Sequence, residues 1–192
     1  MTATERGFLA DAPPQRLYLD IDVIIAALVA TEPHHVRCKA FLQRVQHLGL
    51  TTLYLSSYSW IEYLHVVSRK SFRDRLDPVL RTHLSVDRWI ERGVREAYVR
   101  YFASLLTDTL QAFAWVSVAV NTAVAVQAIE EMAEHNLAGG DATHLGAMQV
   151  SGVHDLASLD AQYRRVDWLY LWNDHIHDTQ SSATSPAGRP SS

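Results

Sequence analysis

The 192-residue sequence has a single cysteine, Cys38, so no intramolecular disulfide can form and no set of thiolate zinc ligands exists. Such cysteine usage suits a reducing compartment. Long apolar runs are missing as well. The opening residues, MTATERGFLADAPPQR, carry Glu5 and Asp11 and lack the continuous apolar core of a secretory signal or an anchor, and no later stretch is apolar for long enough to span a bilayer. A cytoplasmic protein without membrane contact is the resulting expectation. An excess of positive charge is also absent. The formal net charge is -4 with ten histidines neutral, so the whole-molecule field does not draw in nucleic acid. A polyanionic substrate would need a local basic surface or bound cations.

What is present is the composition of an ordinary globular domain, 48% hydrophobic and 20% charged, long enough to bury one core. In RLYLDIDVIIAALV an alternating run ends at Asp20 and apolar residues continue at helical spacing through Ile24, Ile25 and Leu28, which predicts a strand followed by a helix. His34 to Leu48 places Val36, Ala40, Phe41, Val45 and Leu48 at three- and four-residue intervals, an amphipathic helix ended by Gly49. TTLYLSS predicts a second strand, with Ser57 capping a helix through Trp60, Ile61, Leu64 and Val67. Residues 85–113 hold a long helical pattern interrupted at Gly93, where glycine costs about 1 kcal/mol against alanine. AWVSVAV, HDLASLD and WLYLW predict three more strands, with helices through Val124, Ala128 and Met132 and from GGDATHLGAMQ between the first two. The expected organisation is a leader over 1–15, a domain over 16–174 with a longer helical region at about 70–113, and a disordered polar tail over 175–192.

Strands alternating with helices imply an α/β fold, a largely parallel sheet covered by helices on both faces. Such sheets bind ligands beyond the carboxyl ends of their strands, near the point where strand order reverses. Asp20 and Asp160 end predicted strands, and Glu62 and Asp141 lie near predicted helix starts, so four carboxylates can meet at one edge. Clustered carboxylates raise one another's pKa unless a cation neutralises them. Oxygen ligands without cysteine suit Mg2+ or Mn2+, and the matching chemistry is phosphodiester hydrolysis by metal-activated water. Taken singly, Asp20 and Asp141 read as helix caps and Asp160 as a turn residue. Glu62 is harder to dismiss, because Trp60, Ile61, Tyr63 and Leu64 surround it with apolar groups and a carboxylate there needs a partner, an exposed glutamate being the alternative. The DID sequence also resembles the start of a haloacid-dehalogenase-like phosphatase, but Val23 and Ile24 follow where a small residue and threonine are expected, and Leu145 stands four residues after Asp141 in place of an acid.

LDIDVIIAAL, SSYSWIEYLHVV, GGDATHLGAM and LASLDAQYRRV resemble, in order, the four acidic motifs of PIN-domain nucleases, over about residues 16 to 172. Each motif is degenerate alone, and the specificity lies in their order and their strand and helix contexts. The resemblance implies a three-layer PIN-like fold and makes Asp20, Glu62, Asp141 and Asp160 the acidic site, with Asp20, Asp141 and Asp160 holding Mg2+ or Mn2+. Ser158 falls at the hydroxyl position two residues before the last aspartate. Asp22 departs from the family, which usually has asparagine, serine or threonine there. The compact layout most resembles VapC-like toxin ribonucleases, which implies an RNA substrate, an antitoxin partner and a homodimer. The extra length of the chain departs from a minimal toxin, and a degenerate PIN scaffold that binds RNA or protein without cleaving is the non-enzymatic alternative.

Between Val66 and Arg100 nine basic residues stand against five acids, a local +4 that leaves -8 elsewhere. Arg69, Lys70 and Arg73 directly follow the Glu62 helix and are candidate phosphate contacts. A solvated face with pairs such as Arg92 and Glu96 explains the same pattern. His144, three residues after Asp141, is either a substrate contact or a packed histidine. His34 with His35 and His175 with His177 lack metal-ligand spacing and are expected at the surface or at helix ends.

Overall fold

The structure, a computed structural model, describes residues 2–75 and 94–174, with the side chains of all of these except 68, 70–75 and 94–99. Six strands form one sheet: β1 (Thr4–Gly7), β2 (Arg16–Leu19), β3 (Thr52–Ser56), β4 (Ala114–Val118), β5 (Asp155–Ala157) and β6 (Tyr170–Asn173). Their spatial order is β1-β6-β5-β2-β3-β4, and every pairing is parallel. The described helices are α1 (Ile21–Leu28), α2 (His35–Leu48), α3 (Ser57–Arg75), α4 (Val94–Leu110), α5 (Thr122–His135) and α6 (Gly139–Ser151), with a 3-10 turn over Ala161–Arg165.

The two-residue period of the strands sorts the core into two layers. Leu17 and Leu19 of β2, Leu53 and Leu55 of β3, Ala157 of β5 and Trp172 of β6 face one cluster, built from α1, α2, α3 and α4. Tyr18, Leu156 and Leu171 point the other way into a second cluster with α5 and α6. Helices therefore cover both faces, and β2 is buried on both sides at Leu17, Tyr18 and Leu19. This is the three-layer α/β architecture that alternating strands and helices imply. From β2 the chain adds β3 and β4 on one side and later returns to add β5 and β6 on the other, so strand order reverses at β2.

Several local expectations shift. The residues expected as a leader supply β1, which pairs with β6 from Thr4↔Tyr170 to Gly7↔Asn173. Phe8 is 1% exposed and stacks on Phe41 at 4.3 Å, so its burial helps hold this segment to the sheet. In α2 the buried residues are Cys38, Phe41, Leu42 and Val45, whereas Val36 is 77% exposed, a phase set by the docking of α2 on α1. Gly49 ends α2 at φ 62, the left-handed conformation that glycine adopts without a Cβ penalty. At the start of α3 the capping oxygen belongs to Ser56, whose Oγ accepts from the Ser59 N–H at 3.1 Å. Ser57 instead accepts from the Val120 N–H at 3.1 Å. The HDLASLD strand is confined to Asp155–Ala157, because Asp160 already caps the 3-10 turn. Gly93, the stretch 76–93 and the tail 175–192 lie outside the described residues.

Candidate metal centre

Each acid sits at a strand-to-helix junction on the carboxyl side of the sheet or in a helix that faces it. Asp20 follows β2, at the position where strand order reverses. Its backbone N–H donates to the Ala157 carbonyl of β5 at 3.0 Å, and its Oδ1 accepts from the Ile21 N–H at 2.6 Å, capping α1. Asp160 follows β5, and its Oδ1 accepts from the Gln162 N–H at 2.8 Å. Asp141 stands in the first turn of α6, and Glu62 in the second turn of α3. All four carboxylates line one cavity of about 250 Å³, together with Asp22, Glu32 and His34.

Ser158 joins two of these acids. Its side chain is fully buried, its Oγ donates to Asp20 Oδ2 at 2.8 Å, and the same oxygen accepts from the Asp160 N–H at 3.0 Å. Asp22 holds the same loop, since its Oδ2 accepts from the Leu159 N–H at 2.8 Å and lies 3.2 Å from Ser158 Oγ. Its Oδ1 is enclosed and has no hydrogen-bond partner among the described residues.

Glu62 finds the partner that its apolar surroundings demand: His144 Nε2 lies 3.0 Å from Oε2. His144 is 1% exposed, and its Nδ1 lies 3.0 Å from the Tyr18 hydroxyl. With both ring nitrogens occupied, it is a packed histidine beneath the acids and offers no open edge to a substrate. Arg69 is exposed on α3, while the side chains of Lys70 and Arg73 fall outside those described. His34 stands at the N-terminal end of α2, as its sequence context suggests, and also lines the acidic cavity, with Nδ1 2.5 Å from Asp174 Oδ2. Neither that contact nor the place of Glu32 left a spacing signal, because Asp174 lies 140 residues away.

The charges press on one another. Burial raises the Asp20 carboxyl above its ordinary value, offset by His144 and the Ser158 hydroxyl and reinforced by Glu62. Burial and the Asp20 charge hold Asp22 well above the usual carboxylate range. Asp141 is pushed up to about 6 by burial and by the charges of Asp160, Asp20 and Glu62. For His144, burial works against the charge, but the Glu62 hydrogen bond and the neighbouring Tyr18 and Asp20 outweigh it and lift the ring to about 10. An imidazolium thus supplies part of the countercharge.

Carboxylate oxygens gathered on one cavity, a raised acid cluster and an enclosed unpartnered carboxylate oxygen all fit a hard divalent cation such as Mg2+ or Mn2+. The expected trio of Asp20, Asp141 and Asp160 is not the group with the closest donor atoms. Among the described residues, Asp20, Glu62 and His144 bring ligand atoms within 4.8 Å of one another, while Asp141 and Asp160 line the same cavity outside that group. His144, hydrogen-bonded through both ring nitrogens, enters that group as the neighbour of Asp20 and Glu62 and not as a free donor.

No curated protein matches the chain in sequence. Among solved structures, the Mycobacterium tuberculosis toxin VapC20, described as cleaving the sarcin-ricin loop, is similar over 91% of this chain and 99% of its own, at 16% identity and a TM-score of 0.51. VapBC2 from Rickettsia felis, bound to a promoter DNA fragment, is similar over 82% and 98%, at 13% identity and 0.53. FitAcB from Neisseria gonorrhoeae is similar over 82% and 97%, at 16% identity and 0.52. At these identities the likeness is one of fold. The PIN domain family profile matches residues 17–169, which span all four acidic positions and exclude the phosphatase alternative, and the chain belongs to the PIN domain family.

Proposed function

We propose that this chain is a Mg2+- or Mn2+-dependent endoribonuclease, the toxin of a toxin-antitoxin pair acting in the cytoplasm. The observation that carries the reading is the convergence of Asp20, Glu62, Asp141 and Asp160 on one cavity at the reversal point of a parallel sheet. The toxin assignment is supported by the likeness of fold to VapC20 and VapBC2, and the antitoxin partner by the complexes named for VapBC2 and for FitAcB.

In this reading Asp20, Asp141 and Asp160 hold the cation and Glu62 fixes ligands or the attacking water. When bound, the ion supplies Lewis-acid stabilisation of the phosphoryl oxygens and lowers the pKa of a coordinated water. Water adds to phosphorus, one P–O ester bond breaks and the leaving oxygen takes a proton. Ser158 keeps the Asp20 carboxylate turned into the cavity, and Asp22 holds the 158–160 loop through the Leu159 N–H. Arg69, exposed on the helix that carries Glu62, is the candidate contact for RNA phosphates in this reading, with Lys70 and Arg73 following it in sequence.

Cleavage of defined RNAs with Mn2+ and with EDTA, for wild type and Asp20→Asn, tests the proposal. Asparagine caps a helix as well as aspartate does, so the variant is expected to fold with unchanged or higher Tm while cleavage drops to the metal-free background. Full activity in a folded Asp20→Asn protein would sink the reading.

A further inference from the structure

Beneath the acidic cavity runs a buried polar chain that links four parts of the fold. The Ser56 N–H, at the end of β3, donates to the Tyr18 hydroxyl of β2 at 3.1 Å. That hydroxyl lies 3.0 Å from His144 Nδ1 on α6, and His144 Nε2 lies 3.0 Å from Glu62 Oε2 on α3. Tyr18 and His144 are 0% and 1% exposed. The His144 ring is wedged between Tyr18 and Tyr58, with centroids 5.7 and 5.6 Å away, so it has little room to rotate. An ionised carboxylate only accepts, so Nε2 carries its proton toward Glu62, and the Tyr18 hydroxyl is left to satisfy Nδ1.

Glu62 needs such a hold. It lies in the second turn of α3, away from any capping N–H, and its side chain is 29% exposed at the cavity wall. A glutamate there has several rotamers open to it, and only some turn the carboxylate toward Asp20. His144 Nε2 lies 3.9 Å from Asp20 Oδ1 and 3.0 Å from Glu62 Oε2, so one ring sets the two acids against each other.

We propose that Tyr18 and His144 are positioning residues whose hydrogen-bond chain aims the Glu62 carboxylate at the divalent ion held by Asp20. The inference rests on the metal-nuclease reading above and adds the Glu62 carboxylate to the groups that bind the ion. It differs from direct ligation by His144, in which the imidazole nitrogen itself would bind the ion. A group that orients a metal-binding carboxylate typically contributes 10- to 100-fold in metal affinity.

Mn2+ binding by calorimetry on the full chain, with Mn2+ spin-echo spectroscopy for coordinated nitrogen, separates the alternatives. His144→Asn and Tyr18→Phe are each expected to weaken Mn2+ binding by about 10-fold. The double variant is expected to be no weaker than His144→Asn alone, because both residues act through one chain. His144→Gln, whose amide nitrogen reaches the position of Nε2, is expected to restore most of the affinity. Wild-type affinity in both His144→Asn and Tyr18→Phe would overturn the proposal, and so would nitrogen coordinated to Mn2+ in the wild type. Asp20→Asn is the control: if it retains Mn2+ like the wild type, or if the wild type binds none, the metal reading itself fails. Loss of Mn2+ only in Asp20→Asn removes the positioning role and leaves that reading standing.

Discussion

Asp20 serves two demands that usually pull apart. Its Oδ1 accepts from the Ile21 N–H to cap α1, while its Oδ2 takes the Ser158 hydroxyl, so the carboxyl is orientated from both sides before any cation arrives. The cost is a charge that is 6% exposed beside Glu62, and the raised carboxyl records it. Asp141 allows that cost to be measured. Its carboxyl sits at about 6 in the folded chain against 3.8 for the ordinary group. Below 3.8 both states hold the proton. Between 3.8 and about 6 the unfolded chain gives it up while the folded chain retains it, so stability falls as pH rises through that window. In EDTA, Asp141→Asn is therefore expected to raise Tm by a few degrees at pH 8 and to leave it nearly unchanged at pH 3.5. Thermal melts across that range check it, and an equal effect at both ends would contradict the assignment of strain to the ionised form.

At the level of elements, the site depends on two helices being held at a fixed depth against the sheet. Gly146 in α6 shows how closely α6 meets α5: a Cβ there would come 2.6 Å from the Val124 carbonyl oxygen and 2.8 Å from the Ala128 nitrogen. Helix propensity alone favours alanine by about 1 kcal/mol. Contact with rigid backbone at those distances outweighs it, since overpacking typically costs about 1–3 kcal/mol. Gly146→Ala is expected to lower stability by about 1–2 kcal/mol net, read by urea denaturation, and a stabilised variant would mean that the helices part freely. Because α6 carries both Asp141 and His144, a shift of this helix would move the cavity as well as the core. The strand β1 acts at the opposite edge. Arg44 Nη1 donates to the carbonyls of Phe8 and Asp11 at 3.2 and 2.9 Å, tying the N-terminal segment to α2.

For the whole molecule, the net charge of -4 and the gathering of acids in one cavity oppose the approach of RNA. The sequence of residues 66–100 carries a +4 balance, much of that segment lies outside the described residues, and among its described side chains Arg69 on α3 and Arg100 on α4 are exposed. A bound divalent ion removes two negative charges where the scissile phosphate must sit. A cleavage-resistant RNA analogue is thus expected to bind at least about 10-fold more tightly with Mn2+ than in EDTA at matched ionic strength, a difference of about 1.4 kcal/mol. Fluorescence anisotropy measures it. Equal affinity in the two conditions would show that the basic side chains alone admit RNA. Among the described residues no helix is long and apolar enough to cross a membrane.

Periodicity in the chain was enough to specify the alternation of strands and helices and the parallel sheet it requires, because two-residue and 3.6-residue repeats are local and survive translation into geometry. Element ends followed less well: capping by Ser56 rather than Ser57, and the shortness of β5, depend on which oxygen reaches which N–H after the turn closes. Only the tertiary structure decided that residues 4–7 complete the sheet beside β6, since an edge strand of mixed polarity shows no apolar alternation. It alone brought His34 to Asp174 across 140 positions and joined Tyr18, His144 and Glu62 into one chain. Those contacts link elements far apart in sequence, and a histidine has the same local pattern whether it lies in solvent or between two carboxylates. Asp20 and Asp160 were legible because strand ends mark them, and Asp141 because it stands near a helix start; the group that sets the acids' charges against one another was not, because burial and partner choice arise only when the helices pack.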